Sequence, residues 1–199
     1  LLKKSYHYIF SGLLVATYSK TDKLMLKQML NESSVGYYAT AVALCAMWTF
    51  VLQAIIDSMY PSIVKCYKED MQSFEKKNRQ LYAIIFYISA FVSLIFTFFG
   101  ESIIFLLYGE EYLPAAQPLK VITWYTSFSY FGVARNAWVV CNEKQKYLKY
   151  MYIAAACINI VLNILLIPVF GSTGAALASL ITQIMTSIII PLFVRDLRP

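Results

Sequence analysis

Lys20, Asp22, Lys23 and Lys27 stand within the stretch Thr17 to Met29, TYSKTDKLMLKQM, at the end of a segment that is largely hydrophobic from Ser5 onward. Each charge at a bilayer centre costs about 2.5–3.5 kcal/mol, so four of them facing lipid would cost on the order of 10 kcal/mol. Snorkelling to the interface or lining a wet cavity removes most of that cost, and a cavity is the favoured arrangement here. At about 100° per residue Lys20, Lys23 and Lys27 fall within a sector of about 60°, with Asp22 on a different side. One face of the helix therefore offers positive charge. Ammonium groups so grouped suit an anion, and phosphate oxygens accept charge-assisted hydrogen bonds from them.

Arg135 and Asn136 form a second polar point, some six residues before a basic loop. The guanidinium either snorkels to that loop or, with the amide beside it, faces a polar lumen where it can bind phosphate. Substrate-binding candidates are thus Lys20, Asp22, Lys23, Lys27, Arg135 and Asn136. The candidate ion-coupling residues are Asp22 and Asp57, because an intramembrane carboxylate marks an ion path unless a neighbour neutralises it. For Asp22 the plainer alternative is pairing with a nearby lysine, and for Asp57 a position at a helix end near Pro61. Tyr6, Tyr8, Tyr18, Tyr37, Tyr38, Trp124, Tyr125 and Tyr130 offer flat faces to sugar rings, or else pack and anchor at the interface.

Catalytic chemistry is not expected. His7 is the sole histidine, and no P-loop or HExxH pattern is present. Glu110 and Glu111 read as solvated loop charges. Cys45, Cys66, Cys141 and Cys157 lack CxxC spacing and read as buried small hydrophobes, so neither a metal nor a cofactor is expected.

The elements that would position these residues are membrane helices. Of the 199 residues 59% are hydrophobic and 14% charged, against about 25% charged in a soluble domain. A bilayer core takes about 20 helical residues, and six segments meet that length: about 5–30, 35–64, 80–99, 114–141, 147–167 and 172–194. The Asn31-Glu-Ser-Ser cluster breaks the first from the second and offers helix caps. Pro61 and the basic stretch KCYKEDMQSFEKKNR mark the end of the second. After the third, SIIFLLYG either continues the helix or forms a short interfacial piece. Pro168 and Gly171 divide the long uncharged run that supplies the last two. The apolar runs are too long for barrel strands. The net charge of +6 does not point to nucleic acid, since the basic residues sit in short loops between apolar runs.

In the six-span arrangement Lys3 and Lys4, Lys65 to Arg79, Lys144 to Lys149, and Arg195 and Arg198 share one side, while Glu32, Glu101, Glu110 and Glu111 share the other with Lys120. The positive-inside rule then makes both ends cytoplasmic. The chain lacks an initiator Met and runs almost directly into an apolar segment, so it is expected to be a fragment of a longer protein.

The TDKLML core with VGYYATA downstream, the LLYGEEYLPAAQPL segment and NIVLNILLIPVFGSTGAALAS together resemble the C-terminal half of a polysaccharide flippase, an exporter of O-antigen or other lipid-linked oligosaccharide in the multidrug/oligosaccharidyl-lipid/polysaccharide (MOP) superfamily. The resemblance covers essentially the whole chain. It implies an all-α polytopic protein in which these six transmembrane helices form one lobe of a two-lobe transporter in the bacterial cytoplasmic membrane. It also implies alternating-access movement of an undecaprenyl-pyrophosphate-linked glycan to the outer leaflet, with basic cavity residues meeting the pyrophosphate and a cation coupled to transport. Lys20, Asp22 and Lys23 match the family's TDK region. The implied partners are that glycan, the lipid bilayer, the N-terminal lobe of the same protein and the polysaccharide assembly machinery. In GSTGAALAS the small residues Gly171, Gly174, Ala175, Ala176 and Ala178 would let the sixth helix approach a neighbour closely. Competing readings are a cation-coupled drug or metabolite antiporter of the same fold, a non-transport membrane scaffold and a membrane-embedded glycan transferase or polymerase. Short outer loops disfavour the last.

Overall fold

The computed structural model describes residues 20–193 and is helical almost throughout. His7, Lys3, Lys4, Tyr6, Tyr8, Tyr18, Arg195 and Arg198, with most of the expected first span, lie outside the described residues. Helix α1 is described over 20–29, followed by α2 (Glu32–Glu69), α3 (Met71–Tyr108), a 3-10 turn (Glu110–Ala115), α4 (Ala116–Cys141) and α5 (Gln145–Ile184). A π-helical turn (Met185–Ile189) and a last short helix, α6 (Ile190–Phe193), continue directly from α5.

Local chemistry explains where the helices begin and end. The Asn31 side chain accepts from the Ser34 N–H at 2.9 Å and caps α2, with Glu32 in its positive first turn. Pro61 does not end α2; it stands exposed within the helix, which runs on to Glu69. A proline removes one internal hydrogen bond, while Lys65, Lys68 and Glu69 beyond it are good helix formers, with Lys65 and Glu69 paired one turn apart at 3.9 Å. Both α2 and α3 therefore overrun the apolar cores expected at 35–64 and 80–99. SIIFLLYG is the C-terminal part of α3 rather than a separate piece. Gly109, at φ 82°, closes α3 with its N–H on the Phe105 carbonyl, a backbone setting that favours glycine.

Asp70 alone joins α2 to α3. Its N–H donates to the Cys66 carbonyl at 2.8 Å, and its carboxylate accepts from the Ser73 hydroxyl at 2.5 Å and the Gln72 N–H at 3.0 Å. Chiefly the Ser73 hydrogen bond, then the Gln72 amide, lowers the Asp70 carboxyl below its ordinary value. A carboxyl lowered on folding contributes above its unfolded value and loses that contribution as pH falls through the folded one. Acidification is therefore expected to reduce the hydrogen-exchange protection of the Gln72 and Ser73 amides, after correction for intrinsic rate. Asp70→Ala should show that reduced protection at neutral pH and no further acid step.

The apolar stretch Tyr150–Leu192 is 43 residues long and doubles back. Asn159 Nδ2 lies 3.4 Å from Ser179 Oγ across 20 residues, which a straight helix would hold about 30 Å apart. The reversal occurs at Gly171, whose φ of 60° and ψ of −135° interrupt the helix. Three helical stretches among the described residues, those of α2, α3 and Tyr150–Leu192, are long and apolar enough to cross a membrane, and only 28%, 22% and 22% of their most apolar windows are buried. Large apolar side chains such as Phe50, Phe91, Phe98, Leu106 and Val169 instead point outward, as a lipid solvent allows. The chain is a multi-pass membrane protein.

Helix α4 is the inward one. It packs against α2, α3 and α5, so its surface can carry Thr123, Thr126 and Ser127, all buried. Ser127 Oγ meets Ser93 Oγ of α3 at 2.9 Å, and Trp124 Nε1 donates to Thr97 Oγ1 at 3.2 Å. Two apolar clusters fill the rest, one around Leu26, Leu44, Leu119 and Ile167, the other around Leu52, Phe74, Leu81 and Ile85.

Candidate functional site

Asp22 is buried, and its carboxylate is held by three different helical segments. Oδ2 accepts from Tyr38 Oη of α2 at 2.8 Å and from Ser179 Oγ, in the second arm of α5, at 2.6 Å. Oδ1 accepts from Asn163 Nδ2, in the first arm, at 2.7 Å. Asn163 Nδ2 also reaches Asn159 Oδ1 at 2.9 Å. The arrangement follows from spacing. Asn159 and Asn163 are one turn apart and share a face, and the reversal at Gly171 lays Ser179 opposite them. Two buried oxygens on the same hairpin, Asn163 Oδ1 and Thr182 Oγ1, have no hydrogen-bond partner. Carboxylate, amide and hydroxyl oxygens are the ligand types a hard cation takes, and Asp22 is the one carboxylate in this network.

The second site centres on Arg135, which is 8% exposed. Its Nη1 donates to the Ser187 carbonyl at 3.2 Å, Nη2 lies 4.0 Å from Met151 Sδ, and Nε has no acceptor. Among the described residues no carboxylate pairs with it. The carbonyl it meets belongs to the π-helical turn, a distortion that recurs at functional positions. Arg135 lines a cavity of about 190 Å³ with Asn136, Ser129, Tyr152 and Gln183, and no acid contributes to its wall. Tyr125, also on α4, lines the same cavity.

The structure therefore brings Arg135 and Asn136 to one cavity and Asp22 into a separate polar network. The lysines lie elsewhere. Lys20 and Lys27 are exposed and Lys23 is half-buried. Lys27 Nζ pairs with Glu32 at 3.0 Å on the surface, where such a pair contributes little. Asp57 is exposed and accepts from Gln53 Nε2, one turn earlier, at 2.8 Å. Glu101 pairs with Lys120 at 2.7 Å.

Asn159, Asn163, Ser179 and Gln183 were not singled out from sequence. The signal existed for the first two, since amides at i and i+4 inside INIVLNILL are costly in lipid unless they meet a partner. For Ser179 and Gln183 no local signal exists, because both are ordinary residues of a small-residue helix until the hairpin folds.

The sequence pattern of the polysaccharide biosynthesis protein family matches residues 1–117. The chain is 24% identical over 181 residues to a capsular polysaccharide biosynthesis protein, CapF, of Staphylococcus aureus, covering 90% of this chain and 46% of that protein. It is 23% identical to a probable low-salt glycan biosynthesis flippase, Agl15, of Haloferax volcanii, covering 86% of this chain and 37% of that one. The chain thus spans less than half the length of these relatives. Its fold matches an outward-facing multidrug resistance MATE transporter of the MOP superfamily, with a TM-score of 0.78 at 16% identity over 96% of this chain and 44% of that one. A MOP superfamily transporter from Pyrococcus furiosus, described by the reversed polarity of its binding pocket, matches equally well. With more than half its length inside the family pattern and a fold shared with MOP transporters, the chain belongs to the polysaccharide biosynthesis protein family.

Proposed function

We propose that the chain is one six-span lobe of a two-lobe flippase that carries a lipid-linked oligosaccharide from the inner to the outer leaflet by alternating access. The observation that carries this reading is a cavity with a buried guanidinium and no carboxylate, in a member of a polysaccharide family. A phosphate or pyrophosphate linker matches such a site, and Asn136, Tyr125 and Tyr152 supply hydrogen bonds and flat faces for sugar. A drug or metabolite antiporter binding organic cations would need acids in its cavity. Here no acid lines the cavity: Asp22 lies in a separate buried network and Asp57 on the surface.

In this reading both ends of the chain are cytoplasmic and the membrane is the bacterial inner one. Arg135, near the cytoplasmic end of α4, meets the pyrophosphate early, and Lys20, Lys23 and Lys27, in the outer half of the first span, meet it late while facing the other lobe. Asp22 binds the coupling cation with oxygens of Asn163, Ser179 and Thr182, and Asp57 is the second ion-coupling candidate. A cation there would supply charge compensation; the chain's own residues orient the carboxylate and exclude water from it.

The test is flipping of a labelled lipid-linked oligosaccharide by the full-length protein in proteoliposomes, at matched protein content. Arg135→Gln is expected to lower the rate about tenfold or more, the worth of a charge-assisted hydrogen bond. A Lys20→Ala/Lys23→Ala double variant should also lose rate. Full flipping by both would overturn the anion-cavity reading.

A further inference from the structure

The Arg135 side chain forms part of two hollows. On one side lies the polar cavity already described. On the other a groove of about 530 Å³ runs between α3, α4 and the end of the chain's last described arm, walled by Phe86, Phe128, Phe131, Ile188 and Leu192. Its volume is that of a ligand site, commonly about 300–1,000 Å³. Phe86, Ile188 and Leu192 are substantially exposed, so the groove is continuous with the lobe's outward apolar surface. Polar groups gather at Arg135, where Tyr82 and Ser187 also line the groove.

Two of those polar atoms are buried without partners: Arg135 Nε and Tyr82 Oη. They come from different helices, α4 and α3, and both can donate. Two donors left without acceptors at one place are costly unless something accepts from both. A hydrocarbon filling the aromatic groove leaves them unsatisfied, and a free anion leaves the groove unfilled. A phosphorylated lipid answers both: its chain lies along Phe86, Phe128 and Phe131, its phosphate accepts from Arg135 Nε and Tyr82 Oη, and any polar group beyond the phosphate enters the cavity on the far side of Arg135.

We propose that the groove between α3, α4 and the Ser187–Leu192 segment binds the hydrocarbon chain of a phosphorylated lipid, with Tyr82 and Arg135 gripping its phosphate. The proposal rests on the lipid-linked substrate class of the preceding section and adds where the lipid sits and a residue, Tyr82, that recognises it. It also implies lateral loading, since the chain enters from the bilayer without crossing the polar cavity.

The experiment uses the full-length protein in nanodiscs and a polyprenyl monophosphate carrying a photoreactive diazirine on its chain, with the matching prenyl alcohol as a second probe. Crosslinks of the phosphate probe are expected at Phe128, Phe131 or Ile188. Tyr82→Phe, which removes only the hydroxyl, should weaken the phosphate probe about fivefold and leave the alcohol unchanged; Arg135→Gln should weaken it about tenfold or more. Crosslinks confined to other helices, equal labelling by alcohol and phosphate, or an unaltered Tyr82→Phe variant would each overturn the proposal. Displacement by inorganic pyrophosphate as effective as displacement by unlabelled lipid would also overturn it, because the ligand would then be a free anion. Loss of flipping with groove labelling intact counts against the transport reading alone, and flipping with labelling elsewhere counts against the groove alone.

Discussion

On the proposed coupling role, replacing Asp22 with asparagine is expected to leave the full-length protein folded and at normal membrane abundance while lowering ion-coupled flipping, with the coupling between cation and substrate binding weakened about 5- to 150-fold, the range of a 1–3 kcal/mol coupling free energy. The hydrogen bonds explain the separation. Tyr38 and Ser179 both donate to Oδ2, and an asparagine oxygen placed there keeps both. The new amide nitrogen would face Asn163 Nδ2, but Asn163 can turn its unpartnered Oδ1 toward it and accept when Asn159, whose Oδ1 accepts from that same Nδ2 at 2.9 Å, turns with it. Packing survives, and the negative charge does not. Asp22→Ala is different, since it strands three donors, each costing about 1–3 kcal/mol when buried. That variant should melt earlier in detergent and accumulate poorly. Flipping measured against membrane abundance separates the two, and an asparagine variant with full ion-dependent rate would sink the coupling role.

Among the described glycines, Gly174→Ala should have the largest effect on assembly through steric contact. A Cβ at Gly174 would stand 2.2 Å from the Leu166 carbonyl oxygen and 2.6 Å from its carbon, both backbone atoms of the opposite arm of the hairpin. A flexible side chain could swing aside, but backbone cannot. The arms must separate, which pulls Ser179 away from Asp22 and opens the apolar seam formed by Ala175, Ala176 and Ala178. Overpacking ordinarily costs about 1–3 kcal/mol, and contact with main chain puts this case above that range. Reduced membrane abundance, with a lowered melting midpoint for whatever protein remains, checks it. By contrast Gly36 has open space around its would-be Cβ, and Gly36→Ala should be silent in the same assays.

The all-helical membrane class could be read from the lengths of the apolar runs, and the Asn31 cap from residue type alone, because both depend on local chemistry. Gly171 was readable as the divider of the last apolar run, and Gly174 as a point of close approach, for the same reason. The partner of Asp22 was not. Lysines two, one and five residues away were the visible candidates, yet the donors come from 16, 141 and 157 residues along the chain. Sequence shows that a buried carboxylate needs partners, and only the hairpin shows which ones. Similarly Pro61 signalled a stop that the helix did not obey, since its exposed position leaves the freed carbonyl to solvent.

The joint at Asp70 bears on how α2 and α3 can move. Each of the helices it connects has 38 residues and is about 57 Å long, well beyond a hydrocarbon core of about 30 Å. With one residue between them and both its backbone and side chain committed to caps, the pair has no slack at that end. A tilt of α2 must carry the near end of α3 with it, like the two legs of a pair of tweezers. The opposite ends are tied differently, α3 through Gly109 and a 3-10 turn to α4. Relative motion between these two helices is therefore greatest at the end remote from Asp70, where they can open while the basic tip stays shut.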